Sequence, residues 1–152
     1  MTNHQSLRNA ARRLAPLLWT LLGLFVLRVI GQVIVVLYAP IWLPPMGQWY
    51  SGLLPYPVLL PAQIALIVLM VKICADFSRG DGLFVRPRRW LGKPTLLFGY
   101  LYFAAMVVRY CVRMWLVPEA RWFGGTIPIF FHFVLAGFVI TVGVFHGRRG
   151  DM

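Results

Sequence analysis

The sequence predicts an all-α integral membrane protein, an antiparallel bundle of four transmembrane helices in one membrane domain, 1–152, with both termini in the cytoplasm. Three observations predict it: the composition, four long apolar windows, and the distribution of basic residues. Of the 152 residues, 60% are hydrophobic and 12% are charged, whereas soluble domains are about 45–50% apolar and about 25% charged. This composition excludes an ordinary soluble domain. It also excludes a disordered chain, because 15% of the residues are aromatic.

Four windows are long enough to cross a bilayer, which requires about 20 mostly apolar residues. The predicted helices cover about 14–38, 56–77, 95–117 and 126–145. Proline placement supports these boundaries, because Pro16, Pro94 and Pro128 fall near predicted helix starts, where a missing N–H costs little. The first window exceeds the roughly 7–15 apolar residues of a signal peptide, so it is predicted to be a permanent anchor.

The basic residues predict the orientation. Most of the 15 Lys and Arg residues lie in the N-terminal tail, in the connection 78–94 and in the C-terminal tail. Short loops rich in Lys and Arg stay in the cytoplasm, which predicts a bacterial-type inner (plasma) membrane protein with both termini inside. The net charge of +11 is then a consequence of topology, so no nucleic-acid partner is predicted. The loop 78–94 is expected to attract anionic lipid headgroups.

The first outer connection, 39–55, is apolar and aromatic and contains no charged residue. Trp and Tyr side chains settle at the level of the lipid headgroups, so the connection is expected to lie in the membrane interface. One interpretation is a simple aromatic belt. The others are a lid over the bundle and a docking surface for a larger partner.

Three arginines lie inside predicted spans, where each costs roughly 2.5–3.5 kcal/mol and usually faces the bundle interior or a wet cavity. Counted at about 1.5 Å per residue, Arg28 is about 15 Å from the outer end of its helix, Arg109 about 12 Å and Arg113 about 6 Å. His132 is about 9 Å from the same surface. These four side chains are therefore expected to converge in the outer half of the bundle.

Helical spacing supports this convergence. Tyr102, Arg109 and Arg113 lie on one stripe of the third helix, and Arg28 shares a face with Gln32. The predicted ligand-binding set is Arg28, Gln32, Tyr102, Arg109, Arg113 and His132. A weaker stripe on the second helix, which contains Gln63, is interpreted as ordinary packing. No acidic residue lies deep in any span, so the arginines must bind carbonyls, polar side chains and water, or an anion from elsewhere.

These residues lead to three functional hypotheses. The first is an accessory or binding subunit that holds an anionic lipid-like ligand, or an acidic helix of a partner complex, through Arg28 and Arg109. The second is an enzyme acting on a lipid-like or quinone-like substrate, for which His132 is the one candidate acid or base. The third is a structural subunit of a larger membrane complex or a homo-oligomer. No cofactor and no metal site are predicted, because no metal-ligand spacing is present.

Overall fold

The part of the chain that the structure describes folds into four long α-helices. The computed structural model describes residues 2–44, 49, 55–86, 88–117 and 127–148. The helices are α1 (Thr2–Tyr38), α2 (Tyr56–Arg79), α3 (Arg89–Leu116) and α4 (Ile127–Arg148). Each is long and apolar enough to cross a membrane. The described residues are therefore helical as predicted, and their four helices are compatible with a multi-pass membrane bundle.

Helix α1 is much longer than predicted. It begins at Thr2 rather than near residue 14, and its 37 residues extend about 55 Å at 1.5 Å per residue. The expectation that Pro16 marks a helix start is therefore wrong, since Pro16 lies inside α1. The polar residues before it continue the helix beyond the apolar window, because Ala and Arg have high helix propensity and Ala11 is fully buried.

The other boundaries differ by smaller amounts. Helix α2 continues to Arg79 and ends at Gly80, whose φ of 69° is left-handed and whose N–H donates to the Asp76 and Phe77 carbonyls. Helix α3 begins at Arg89, so Pro94 falls in its second turn. Helix α3 begins in polar residues and α4 ends in them, so the apolar windows underestimate the lengths of both helices. The predicted loop 78–94 is thus a shorter connection between Arg79 and Arg89.

The helices pack in a row. Helix α1 packs against α2 on one side and α4 on the other, and α3 packs against α4; the described parts of the other helix pairs make no backbone contact. Contacts of Leu96 with Gly143 and of Gly99 with Ile140 join α3 to α4. Helix α3 is accordingly the least buried of the four.

The main apolar core lies toward one end of the helices, where the polar side chains of Asp76 and His146 are also buried. Six residues of α1, spaced four and three apart, form a buried stripe: Ala11, Ala15, Leu18, Leu22, Phe25 and Val29. The stripe belongs to a core cluster with Met70, Phe77 and Phe145, and the rings of the two phenylalanines are 4.8 Å apart. This core fills the half of the molecule that contains Arg8 and Gly80, here called the basic end. The buried polar side chains Arg28, Gln32 and Gln63 lie toward the other end, here called the aromatic end, where α1 finishes at Tyr38 and α2 starts at Tyr56.

Candidate functional site

Arg28 is buried, with 9% of its surface exposed. Its Nη2 donates to the Trp49 carbonyl at 3.3 Å, and its guanidinium carbon is 5.9 Å from the centre of the Phe131 ring. The carbonyl and the aromatic face both stabilise a positive charge. A second donor, Nε, is buried and has no hydrogen-bond partner among the described residues. The prediction that Arg28 faces the interior is therefore supported by its surroundings.

Trp49 closes one side of the Arg28 environment. It is buried, its indole N–H donates to the Pro44 carbonyl at 2.9 Å, and its ring lies against Gly31. A Cβ built at Gly31 would be 2.7 Å from Trp49 Cη2, so a side chain at that position would displace the ring. At least this residue of the aromatic connection is thus packed onto α1. Residues 45–48 and 50–54 of the same connection lie outside the described residues.

Gln32 and Gln63 form a polar contact between α1 and α2. Gln63 Nε2 donates to Gln32 Oε1 at 3.2 Å. Both residues are buried, with Gln63 6% exposed and Gln32 1% exposed. Gln32 Nε2 and Gln63 Oε1 find no partner among the described residues. Gln32 therefore does not bind Arg28 directly, and it presents a second unpaired donor one turn away from Arg28.

Tyr102 and His132 join α3 to α4. The Tyr102 hydroxyl shares a hydrogen bond with His132 Nδ1, and the two rings meet edge to face with centroids 5.7 Å apart. Both residues are half-buried. The direction of this hydrogen bond depends on the histidine tautomer. Tyr102 therefore contacts the histidine rather than an arginine.

The two arginines of α3 are less enclosed than Arg28. Arg109 and Arg113 are half-buried. The charges of Arg28 and Arg109 both lie within electrostatic range of Tyr102 and of His132. The structure thus brings these four predicted residues together from three helices. Arg113 lies one turn farther along α3.

The site lies where α1 and α3 flank α4. Arg28 belongs to α1, Tyr102 and Arg109 to α3, and His132 to α4. Helices α1 and α3 both pack on α4 without touching each other's backbone, and the charges of Arg28 on α1 and Arg109 on α3 both act on Tyr102 and His132.

No acidic side chain neutralises this cluster within the described residues. Among the described residues, an ion pair joins Lys72 Nζ to Asp76 Oδ1 at 2.5 Å, and it lies at the basic end of the molecule, away from this cluster. The described residues also contain no group of three His, Cys, Asp or Glu side chains that could hold a metal ion. The cluster is therefore rich in hydrogen-bond donors and positive charge. Such an arrangement is suited to a carboxylate or phosphate, which a guanidinium binds through two parallel bonds.

Sequence reasoning missed two residues of the site. Gln63 was assigned to packing, although it lies seven residues into α2 and so at nearly the depth of Gln32, which is six residues before Tyr38. This matched depth was the available signal. Trp49 had no comparable signal, because an aromatic residue in an apolar connection is equally typical of a membrane interface.

Comparison of the chain with known proteins finds no similar protein. No protein-family model matches the chain, and no curated protein or solved structure matches it.

Proposed function

We propose that this protein is a membrane-embedded binding or accessory subunit that holds an anionic group in the half of the helix row nearest the aromatic end. The anion is the headgroup of a lipid-like ligand or an acidic side chain on a partner helix. Arg28 and Arg109 supply the charge, Gln32 and Tyr102 border the site, and Arg113 and His132 line its entrance. The observation that carries the proposal is the buried Arg28 guanidinium with no acidic partner among the described residues.

The energetics favour an external anion. An arginine at this depth costs roughly 2.5–3.5 kcal/mol, and one carbonyl at 3.3 Å and one aromatic face offset only part of that cost. Arg28 Nε and Gln32 Nε2 are buried donors with no partner among the residues that the structure describes, and a buried donor left unpaired costs about 1–3 kcal/mol. A carboxylate or phosphate oxygen placed between them would supply the missing acceptor.

We also propose the orientation that the sequence predicts, an antiparallel bundle with both termini in the cytoplasm of a bacterial-type inner membrane. Two observations support it. Residue numbers rise along α3 while they fall along its neighbour, as shown by Gly99 beside Ile140 and Gly92 beside Gly147. Arg8, Arg79 and Arg86 lie together at the basic end, as expected of a cytoplasmic surface.

Native mass spectrometry after gentle extraction tests the binding proposal. The wild-type protein should carry an anionic lipid or an acidic protein partner, and Arg28→Met should lose it. Arg28→Lys should retain part of it, since the charge remains while the planar fork is lost. Arg13→Met is the matched control, because Arg13 is an exposed arginine of the same helix at the basic end. Unchanged ligand content and complex size in Arg28→Met would contradict the proposal.

The hydrogen bond between Tyr102 and His132 favours one alternative, an enzyme acting on a lipid-like or quinone-like substrate. With Nδ1 bound to the Tyr102 hydroxyl, His132 Nε2 is left to exchange a proton with a substrate held by Arg109. Activity should then fall strongly in His132→Ala, and by a smaller factor in Tyr102→Phe. Activity that survives His132→Ala would rule out this alternative.

The exposure of α3 favours the remaining alternative, a structural subunit of a larger complex or homo-oligomer. Helix α3 packs on α4 alone among the described helices, and large side chains such as Phe98, Leu101 and Trp115 lie exposed on it. The same mass measurement distinguishes this alternative. A structural subunit keeps its partner proteins in Arg28→Met, whereas the proposed binding subunit does not keep its anionic ligand.

A further inference from the structure

A second polar site lies at the basic end, remote from Arg28. A cavity of about 530 Å³ separates the first turns of α1 from the connection that follows α2. Its polar lining includes His4, Arg8, Asp81 and Arg86, and its apolar lining includes Val85. This volume is within the range of about 300–1,000 Å³ that is typical of small-molecule sites.

Close backbone contacts fix one wall of the cavity. Gly80 has a φ of 69°, and a Cβ built there would be 3.1 Å from Arg8 Cβ and 3.2 Å from the Arg8 carbonyl oxygen. The connection can approach α1 this closely because Gly80 has no side chain. Arg12 adds a second link, since its Nη2 donates to the Arg79 carbonyl at 3.1 Å.

A buried carboxylate fixes the connection from beneath. Asp76 is 1% exposed; its Oδ1 accepts from Lys72 Nζ at 2.5 Å and its Oδ2 accepts from the Phe84 N–H at 3.3 Å. Gly82, whose φ is 121°, lies directly over this carboxylate, and a Cβ there would be 2.6 Å from Asp76 Oδ1. The cavity is therefore bounded by a structured turn that is tied to α1 and α2.

The charges in the lining favour an anion. Arg8 and Arg86 face the cavity with His4, and one carboxylate, that of Asp81, also lines it. Asp81 Oδ1 accepts from the Gly82 N–H at 2.8 Å, so this acid is partly satisfied by its own turn. The two guanidinium groups and the one carboxylate leave the cavity with a net positive charge. Arginine is suited to phosphate because it binds it through two parallel hydrogen bonds.

We propose that this cavity binds a phosphate ester through Arg8 and Arg86. The ester is part of an anionic phospholipid headgroup or of a soluble organic phosphate. The apolar lining by Leu7 and Val85 and the position at the ends of membrane-spanning helices fit the lipid. A defined two-arginine site differs from diffuse attraction of headgroups to a basic loop, because it requires particular residues. The proposal does not depend on Arg28.

The proposal is tested by titrating the purified protein in detergent micelles with phosphatidylglycerol. Native mass spectrometry counts the bound lipids. Arg8→Gln and Arg86→Gln should each weaken binding at least about tenfold, as expected for one charge-assisted contact. Arg8→Lys should weaken it less. Lys93→Gln is the matched control, since Lys93 is an exposed basic residue of α3 outside the cavity lining, and it should leave binding within about twofold.

Glycerol phosphate distinguishes the two sources. If it binds in an Arg8-dependent manner and displaces the lipid at millimolar concentration, the ligand is a soluble ester; if it does neither, the ligand is the lipid headgroup. The proposal is overturned if neither probe binds the wild-type protein, or if Lys93→Gln weakens binding as much as the two arginine variants. Thermal unfolding of each variant identifies loss of the fold, and Arg86→Gln and Arg8→Lys provide the test if Arg8→Gln unfolds.

Discussion

Gln63 donates its side-chain amide to Gln32 Oε1 across 3.2 Å, which joins α2 to α1 one turn away from the buried Arg28. Gln63→Leu removes the donor and leaves both polar atoms of Gln32 buried without a partner. We expect the free energy of unfolding to fall by about 0.6 kcal/mol and by no more than about 1.7 kcal/mol, the average and the maximum for interhelical hydrogen bonds in membranes.

A double-mutant cycle in mixed micelles measures this contact. Gln32→Leu/Gln63→Leu should be less destabilised than the sum of the two single variants, because replacing both partners leaves no unpaired group behind. Strictly additive effects would show that the two amides do not stabilise each other.

The Tyr102–His132 hydrogen bond makes a similar contact between α3 and α4. Tyr102→Phe should lower the free energy of unfolding by about 0.5–1.5 kcal/mol, because His132 Nδ1 loses its partner. Tyr100→Phe is the control, since Tyr100 is 57% exposed on the same helix, and it should have little effect. If the two variants have the same free energy of unfolding in chemical denaturation, the hydrogen bond makes no net contribution to stability.

Glycines set the distance between α3 and α4. A Cβ at Gly92 would be 2.9 Å from the backbone nitrogen of Gly147, whereas a Cβ at Gly23 on α1 would meet nothing within 4 Å. Gly92→Ala should therefore push the helices apart and cost about 1–3 kcal/mol, as overpacking does. Gly23→Ala should be neutral or stabilising, because alanine has the higher helix propensity. Equal unfolding midpoints for the two variants would contradict the observed packing.

Asp76 should be the main stabilising residue of the turn after α2. Asp76→Asn removes the charge that Lys72 contacts and weakens the acceptor for the Phe84 N–H. Hydrogen exchange of the backbone amides of Leu83 and Phe84, which donate to Asp76, should become faster, and the free energy of unfolding should fall by about 1–3 kcal/mol. The control is Asp81→Asn, because that carboxylate is exposed and bonds its neighbour Gly82. Protection of these amides that survives in Asp76→Asn would contradict the assigned role.

The four helices were predictable because membrane-spanning length and composition are properties of local sequence. Their ends were less predictable. Pro16 looked like a helix start, yet α1 extends fourteen residues before it, because tertiary contacts with Gly80 support polar turns that hydropathy cannot identify. The row of helices was not predictable either, since a hydrophobic surface facing lipid and one facing another helix have the same composition.

Depth and helical phase predict that Arg28, Arg109, Tyr102 and His132 share one region of the bundle. The structure places the charges of Arg28 and Arg109 within electrostatic range of Tyr102 and His132, and that the four residues form a binding site stays a prediction. The hydrogen-bond partners do not follow from the same spacing, because Gln32 shares a helix face with Arg28 but binds Gln63 on the neighbouring helix. Such choices depend on side-chain reach between helices, which spacing along one helix does not determine.

We propose that Arg28 lies in the membrane because it holds an external anion. Unfolding of the wild type and of Arg28→Met, first in native lipid extract and then after delipidation in detergent, tests this role. We expect the wild type to lose stability on delipidation and Arg28→Met to lose none. The delipidated variant should be at least as stable as the wild type, because an unpaired buried charge is costly. Equal losses on delipidation, or a variant that is destabilised in both media, would instead make Arg28 a structural contact between helices.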